Sequence, residues 1–203
     1  IILDASGAPG ERFAVNDRAY KGHEYRVLDL VYDETPLRER PPQTAIALAA
    51  NTMPEPDLAA AVHHSVTFTG GAMGGLASAV LDGQEMDART LVRHGKAWAA
   101  NGIVAGSAPS DPLVSVARGQ SVVLTLVNEN AWPHPFHLHG YSFRVLSRDG
   151  EPTEHREWLD TVLLRSEEQA EVAFVADNPG DWLLHCHILS HVWGGMSGIV
   201  RVA

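Results

Sequence analysis

From Leu58 onward the chain is cut into short β-prone runs by turn signals, and no long helical period interrupts them. The runs fall at 62–69, 98–104, 121–128, 141–147, 158–165, 170–176, 181–186 and 198–202. Arg118-Gly119, Asp149-Gly150 and Asn178-Pro179-Gly180 punctuate them. β-Branched and aromatic residues suit a pleated surface, while Gly, Asn and Pro turn the chain. Short strands at this spacing pack as an antiparallel sandwich or barrel, so the expected fold class is all-β. One short helical turn is expected at 187–192, after the last histidine-bearing strand.

The first part of the chain reads differently. Residues 24–32 (EYRVLDLVY) form one strand. Pro36, Pro41, Pro42, Pro54 and Pro56 then make 35–57 a semi-extended linker. About 35 residues are too few to bury a core of their own. The expected division is therefore 1–57 as the tail of a preceding domain plus linker, and 58–203 as a full β-domain. The opening Ile1-Ile2-Leu3, without Met, fits a processed or fragmentary chain. The stretch Gly70-Gly71-Ala72-Met73-Gly74-Gly75 lacks the lysine of a phosphate loop and reads as a tight surface turn.

Charge and composition exclude some partners. The net charge of −10 disfavours nucleic acid and anionic membrane surfaces. No apolar run is long enough to span a bilayer. The single cysteine rules out an internal disulfide and leaves the compartment open.

That cysteine sits in an unusual setting. One segment reads His134-Pro-Phe-His137-Leu-His139-Gly, and another reads His185-Cys186-His187-Ile-Leu-Ser-His191-Val-Trp-Gly-Gly-Met196. Thiolate, imidazole and a weak thioether are the donors of a blue-copper centre. Cys186, His191, Met196 and His134 supply that set. His185 and His187 flank Cys186 on a strand, so their side chains point to its opposite face. His137 and His139 form a second H-x-H pair. Four imidazoles on that face imply a second, polynuclear metal site. The covalent path from the Cys186 sulfur to His185 and His187 is a few bonds long, which makes these three residues the expected electron route.

These two segments resemble the third and fourth copper motifs of the multicopper oxidases, the family of laccases, bilirubin oxidases and cuprous oxidases. The resemblance implies a cupredoxin-like Greek-key domain over 58–203, with 1–57 as the end of the preceding cupredoxin domain. It implies that His134, Cys186 and His191 hold a type 1 copper with Met196 axial. It further implies that His137 holds the type 2 copper, and His139, His185 and His187 the type 3 pair. The family oxidises a donor by one electron at type 1 and reduces dioxygen to water at the cluster. Phenols, aromatic amines and metal ions all stand as donors, and the family suggests a periplasmic or secreted location.

The same resemblance exposes a deficit. The family's cluster takes eight histidines, and this chain offers four. His63-His64 is an adjacent pair that would point to opposite faces, while His23, His94 and His155 are isolated. A partner chain or N-terminal fragment with two further H-x-H motifs is therefore expected. Many bacterial members carry an acidic residue where this chain has Val192. Asp160 is then either a proton source or a carboxylate that hydrogen-bonds locally. Pro133 and Pro135 are expected to stiffen a loop carrying His134, and Gly140, Gly194 and Gly195 to admit close backbone. Trp132, Trp182 and Trp193 read as an apolar shell or as core. Two other classes compete: a single-copper electron carrier, which leaves four histidines unused, and a copper nitrite reductase, in which only one histidine adjoins the cysteine.

Overall fold

Burial alternates along the strands as the sequence pattern requires. Positions switch between buried and partly exposed through Val62–Gly70, His134–Leu138 and Phe143–Arg148. The computed structural model describes residues 7–36, 47–71, 73–106 and 111–203. The opening Ile1-Ile2-Leu3, most of the first half of the proline-rich linker (37–46) and Ala72 of the glycine-rich stretch lie outside them. Among the described residues no helix is long and apolar enough to cross a membrane.

The fold is all-β, as expected, and its main part is two sheets. The smaller runs in the order Thr161–Leu164, His134–Leu138, Gly180–Cys186, Ser197–Val202, Val114–Val116. The larger is centred on Phe143–Arg148, Gln169–Val175, Ser121–Asn128, Val62–Gly70 and Trp98–Ala100. One buried cluster takes Leu124, Leu126, Val172 and Phe174 from the larger sheet and Phe136, Leu164, Leu184 and Val200 from the smaller. The inner faces of the two sheets therefore meet, which defines a sandwich. Most pairings are antiparallel. Val62–Gly70 with Ser121–Asn128, Val114–Val116 with Ser197–Val202, and Ser78–Leu81 with Ile103–Val104 are parallel.

The structure corrects several sequence expectations. The run 98–104 is two strands, Trp98–Ala100 and Ile103–Val104, because Asn101-Gly102 makes a tight hairpin with both φ values positive (49° and 74°). Asp82-Gly83 does the same between Ser78–Leu81 and Gln84–Asp87. The run 158–165 breaks at Asp160. Trp158–Leu159 pairs in the larger sheet, and Thr161–Leu164 in the smaller. A helix at Ala88–Arg93 was not expected; Asp87 caps it by accepting from the Thr90 N–H. The second helix, Leu189–Trp193, lies close to the expected turn at 187–192.

Residues 1–52 and 53–203 form separate units. The first contains a hairpin, Arg12–Tyr20 with His23–Val31. Its Phe13, Val15, Tyr25, Val27, Leu28 and Leu30 are exposed. A lone two-stranded hairpin is marginal in water, and these side chains form an exposed apolar surface on it.

In the larger unit, Phe68 and Phe136 are fully buried and stack across the sandwich at 3.9 Å between centroids. Phe68→Ala is expected to cost about 3–5 kcal/mol of stability, transfer and cavity terms combined. Urea unfolding measures this directly.

Candidate metal centre

One strand, Gly180–Cys186, presents chemistry on both faces. Its register against His134–Leu138 sets Phe136 opposite Cys186, His137 opposite His185 and Leu138 opposite Leu184. Directly opposed residues share a face, and neighbours alternate. Cys186, Phe136 and Leu138 therefore point into the sandwich, where all three are buried. His134, two residues before Phe136, joins them. His137 and His185 point the other way.

On the inner face, Cys186 Sγ lies 3.5 Å from His134 Nδ1 and 3.7 Å from His191 Nδ1, and the two nitrogens are 3.1 Å apart. Among the described residues, no other three His, Cys, Asp or Glu side chains bring their donor atoms within 4.8 Å of one another. A trigonal site with metal–nitrogen near 2.0 Å and metal–sulfur near 2.3 Å would show about 3.5 Å between nitrogens and about 3.7 Å from each to sulfur. The observed triangle is slightly tighter and of the same shape, so these donors fit a metal. The geometry also assigns Nδ1 as the donor of both imidazoles. Met196 is fully buried in the cluster that holds Cys186. Its N–H donates to His191 O, and its carbonyl accepts from Cys186 N–H. Sulfur and thioether thus belong to one closed loop.

Burial dominates the electrostatics here. It pushes the Cys186 thiol up to about 11, against a smaller opposing effect from the Ile188 N–H on the sulfur. It pushes His134 down to about 4, helped by the neighbouring His191. The metal-free site is therefore a neutral thiol between neutral imidazoles at pH 7. His134 takes its proton near pH 4 in the folded chain and near 6.5 when unfolded. Between those values the unfolded state holds more protons. Stability of the metal-free chain should fall as pH drops from about 6.5 to about 4. Urea midpoints across that range check it, and His134→Leu should flatten the decline.

The outer face carries the other four imidazoles. His137 lies 4.8 Å from His139, 5.6 Å from His185 and 5.7 Å from His187 between ring centroids. His139 Nε2 and His185 Nε2 approach to 3.0 Å. Two of these rings are oriented by oxygen acceptors. His137 Nδ1 donates to Asp160 O at 2.8 Å, and His185 Nδ1 donates to Cys186 O at 2.7 Å. Each directs Nε2 to the side away from that oxygen, where it can meet a metal. Burial also holds the His185 pKa below its ordinary value, ahead of the raising effect of Cys186 O. His139 and His187 are exposed. The four rings pair and spread instead of closing on one point, which suits several ions and additional donors.

Other expectations meet different fates. His134 is in a strand, not a loop, with Pro135 beside it. Proline is tolerated there because its carbonyl makes the contact, accepting from His187 N–H at 2.7 Å. Asp160 is largely exposed; Oδ1 accepts from the Thr161 hydroxyl at 2.9 Å and lies 3.9 Å from His137 Nδ1. Trp132 and Trp193 are exposed, so they form neither shell nor core in this chain. Trp182 is half-buried and lies over Gly140. The residue that sequence reasoning missed is Trp98, whose ring packs on His191 at 4.2 Å. A Cβ at Gly194 would strike that same ring, and one at Gly195 would strike Val104 and the Trp98 carbonyl. The glycines admit the close approach that the sequence suggested. A cavity of about 570 Å³ opens beside this loop, lined by Asp82, His94, Lys96, Val192 and Trp193 among others.

Comparison with known proteins agrees with this geometry. A family model described as multicopper oxidase matches residues 82–203. Multicopper oxidase MmcO of Mycobacterium tuberculosis is 38% identical over 82 residues, 40% of this chain and 16% of that protein. Multicopper oxidase mco of Staphylococcus epidermidis is 44% identical over 71 residues, 34% of this chain and 16% of that protein. The crystal structure of a multi-copper oxidase from Pseudomonas thermotolerans superposes with a TM-score of 0.72 at 26% identity, covering 96% of this chain and 41% of that one. The matched part is thus a small share of each curated relative. With its family model spanning more than half of the residues, this chain belongs to the multicopper oxidase family.

Proposed function

We propose that this chain is the C-terminal part of a laccase-like multicopper oxidase. It would couple one-electron oxidation of a donor (a phenol, an aromatic amine or a metal ion) to four-electron reduction of dioxygen to water. The observation that carries this reading is the strand Gly180–Cys186, which joins an inner thiol–imidazole triangle to an outer imidazole face. In this reading His134, Cys186, His191 and Met196 hold the type 1 copper. His137 holds the type 2 copper, and His139, His185 and His187 hold the type 3 pair. Copper, when bound, supplies one-electron redox chemistry at the first site and dioxygen reduction at the second.

The chain's own residues define the rest. Cys186 releases its thiol proton when it ligates. Its carbonyl accepts from the His185 ring, so the sulfur's residue touches the outer face by both covalent and hydrogen bonds. The Asp160 carbonyl aims the His137 ring, and its carboxylate adds a negative charge 3.9 Å from the same nitrogen. Trp98 holds one face of His191 and limits its tilt. The cavity beside Trp193 offers a place for the donor.

The exposure of His139 and His187 supports a partner, a second chain or an N-terminal fragment, that supplies two more H-x-H motifs. The uncovered hairpin in 1–52 supports assigning 1–57 to a preceding cupredoxin domain and linker. A periplasmic or secreted location fits the family. A single-copper carrier would use only the inner triangle and leave four clustered imidazoles idle; a nitrite reductase would need only one histidine beside Cys186. Copper content and oxygen uptake of the complete protein decide. Four coppers with oxygen consumption are expected, and one copper without it would sink the oxidase reading.

A further inference from the structure

A buried carboxamide anchors the segment that leads into the His134 strand. Asn128 ends Ser121–Asn128 and is fully buried. Its Nδ2 donates to Trp132 O at 2.9 Å and to Arg165 O at 2.6 Å. Its Oδ1 accepts from Asn130 Nδ2 at 2.7 Å. Asn130 is buried too, and it also donates to Phe68 O at 3.0 Å. Both donors and the acceptor of the Asn128 side chain are therefore used.

The two carbonyls it grips bracket one place in the fold. Trp132 lies two residues before His134. Arg165 follows Leu164, the residue opposite His134 in the neighbouring strand. Asn128 thus ties together the ends of the two segments that place the His134 backbone. Packing does not do this, because the Trp132 and Pro133 side chains are exposed. Removing the amide would leave two carbonyls without this donor, a defect that loosens the segment. The neighbour even accepts a cost: Asn130 Oδ1 is buried with no partner among the described residues, while its Nδ2 steadies Asn128.

We infer that Asn128 is a positioning residue that fixes the His134 imidazole against Cys186 and His191. This rests on the copper reading of the inner triangle. The test compares the copper-loaded protein with Asn128→Ala and with Val145→Ala, a buried change in the larger sheet, on a strand that carries none of the triangle's residues. Asn128→Ala should shift the thiolate-to-copper absorption band and weaken copper binding at that position by roughly 10-fold. Val145→Ala should lower the melting temperature and leave band and affinity unchanged. An Asn128→Ala protein that loses stability yet keeps both would overturn the proposal. Should that variant fail to fold, Asn130→Ala decides: it removes the hydrogen bond that orients the Asn128 carboxamide. A shifted band there supports the role, and an unchanged band refutes it. A wild-type protein with no thiolate–copper band overturns the copper reading and this proposal together; a wild-type band with unaltered variants overturns this proposal alone.

Discussion

On the proposed copper assignment, Cys186→Ser in the copper-loaded protein is expected to remove the intense visible absorption and to stop donor oxidation. The reason is the inner triangle. Sulfur at 3.5 Å and 3.7 Å from two Nδ1 atoms is the one soft donor that the chain supplies as a thiolate. A serine hydroxyl is nearly the same size and remains in place, so folding is little disturbed. It is a hard donor and does not ionise at neutral pH, so it gives no covalent thiolate–metal bond. Changes to residues that merely orient a ligand cost about 10–100-fold in affinity or activity. Losing the ligand itself should exceed that, falling to the background of the assay. The absorption spectrum and steady-state donor oxidation are measured together. A serine variant that stays coloured and active would mean that the sulfur is only a buried apolar group.

His187→Ala should produce the opposite pattern. His187 is exposed on the outer face, and its removal leaves the inner triangle untouched. The visible band should persist, and the protein should still accept an electron from a donor. On the proposed assignment, oxygen uptake should collapse by more than about 100-fold, because His187 would be one of the ligands where several ions sit together. Stopped-flow reduction under nitrogen, followed by oxygen-electrode measurement, separates the two steps. If oxygen uptake survives intact, His187 is not a ligand where dioxygen is reduced, and the assignment of the outer imidazoles falls.

The division of labour across the strand was legible from the sequence because it depends only on alternation. His-Cys-His on an extended segment must split its side chains between two faces, and the structure places Cys186 inward and His185 outward. The inner triangle was legible too, because few other residues could answer a lone cysteine. What escaped was non-local. Trp98 reaches His191 across more than ninety residues, and no spacing rule links them. The Asn101-Gly102 hairpin was hidden inside the apolar run 98–104, whose residues gave a stronger strand signal than the two-residue turn, and the Asp82-Gly83 hairpin lies in a stretch for which no strand was expected. The break at Asp160 gave no sequence signal at all. A strand that moves from one sheet to the other keeps its β-prone composition, and only its pairing partners change.

That break has a structural consequence. The residue at which the chain passes between layers is the same one whose carbonyl receives the His137 ring proton. Stitching the sandwich shut and aiming that imidazole are therefore a single event. Damage far off in the apolar interior would reach the outer chemistry by this seam, without any change to the histidines themselves.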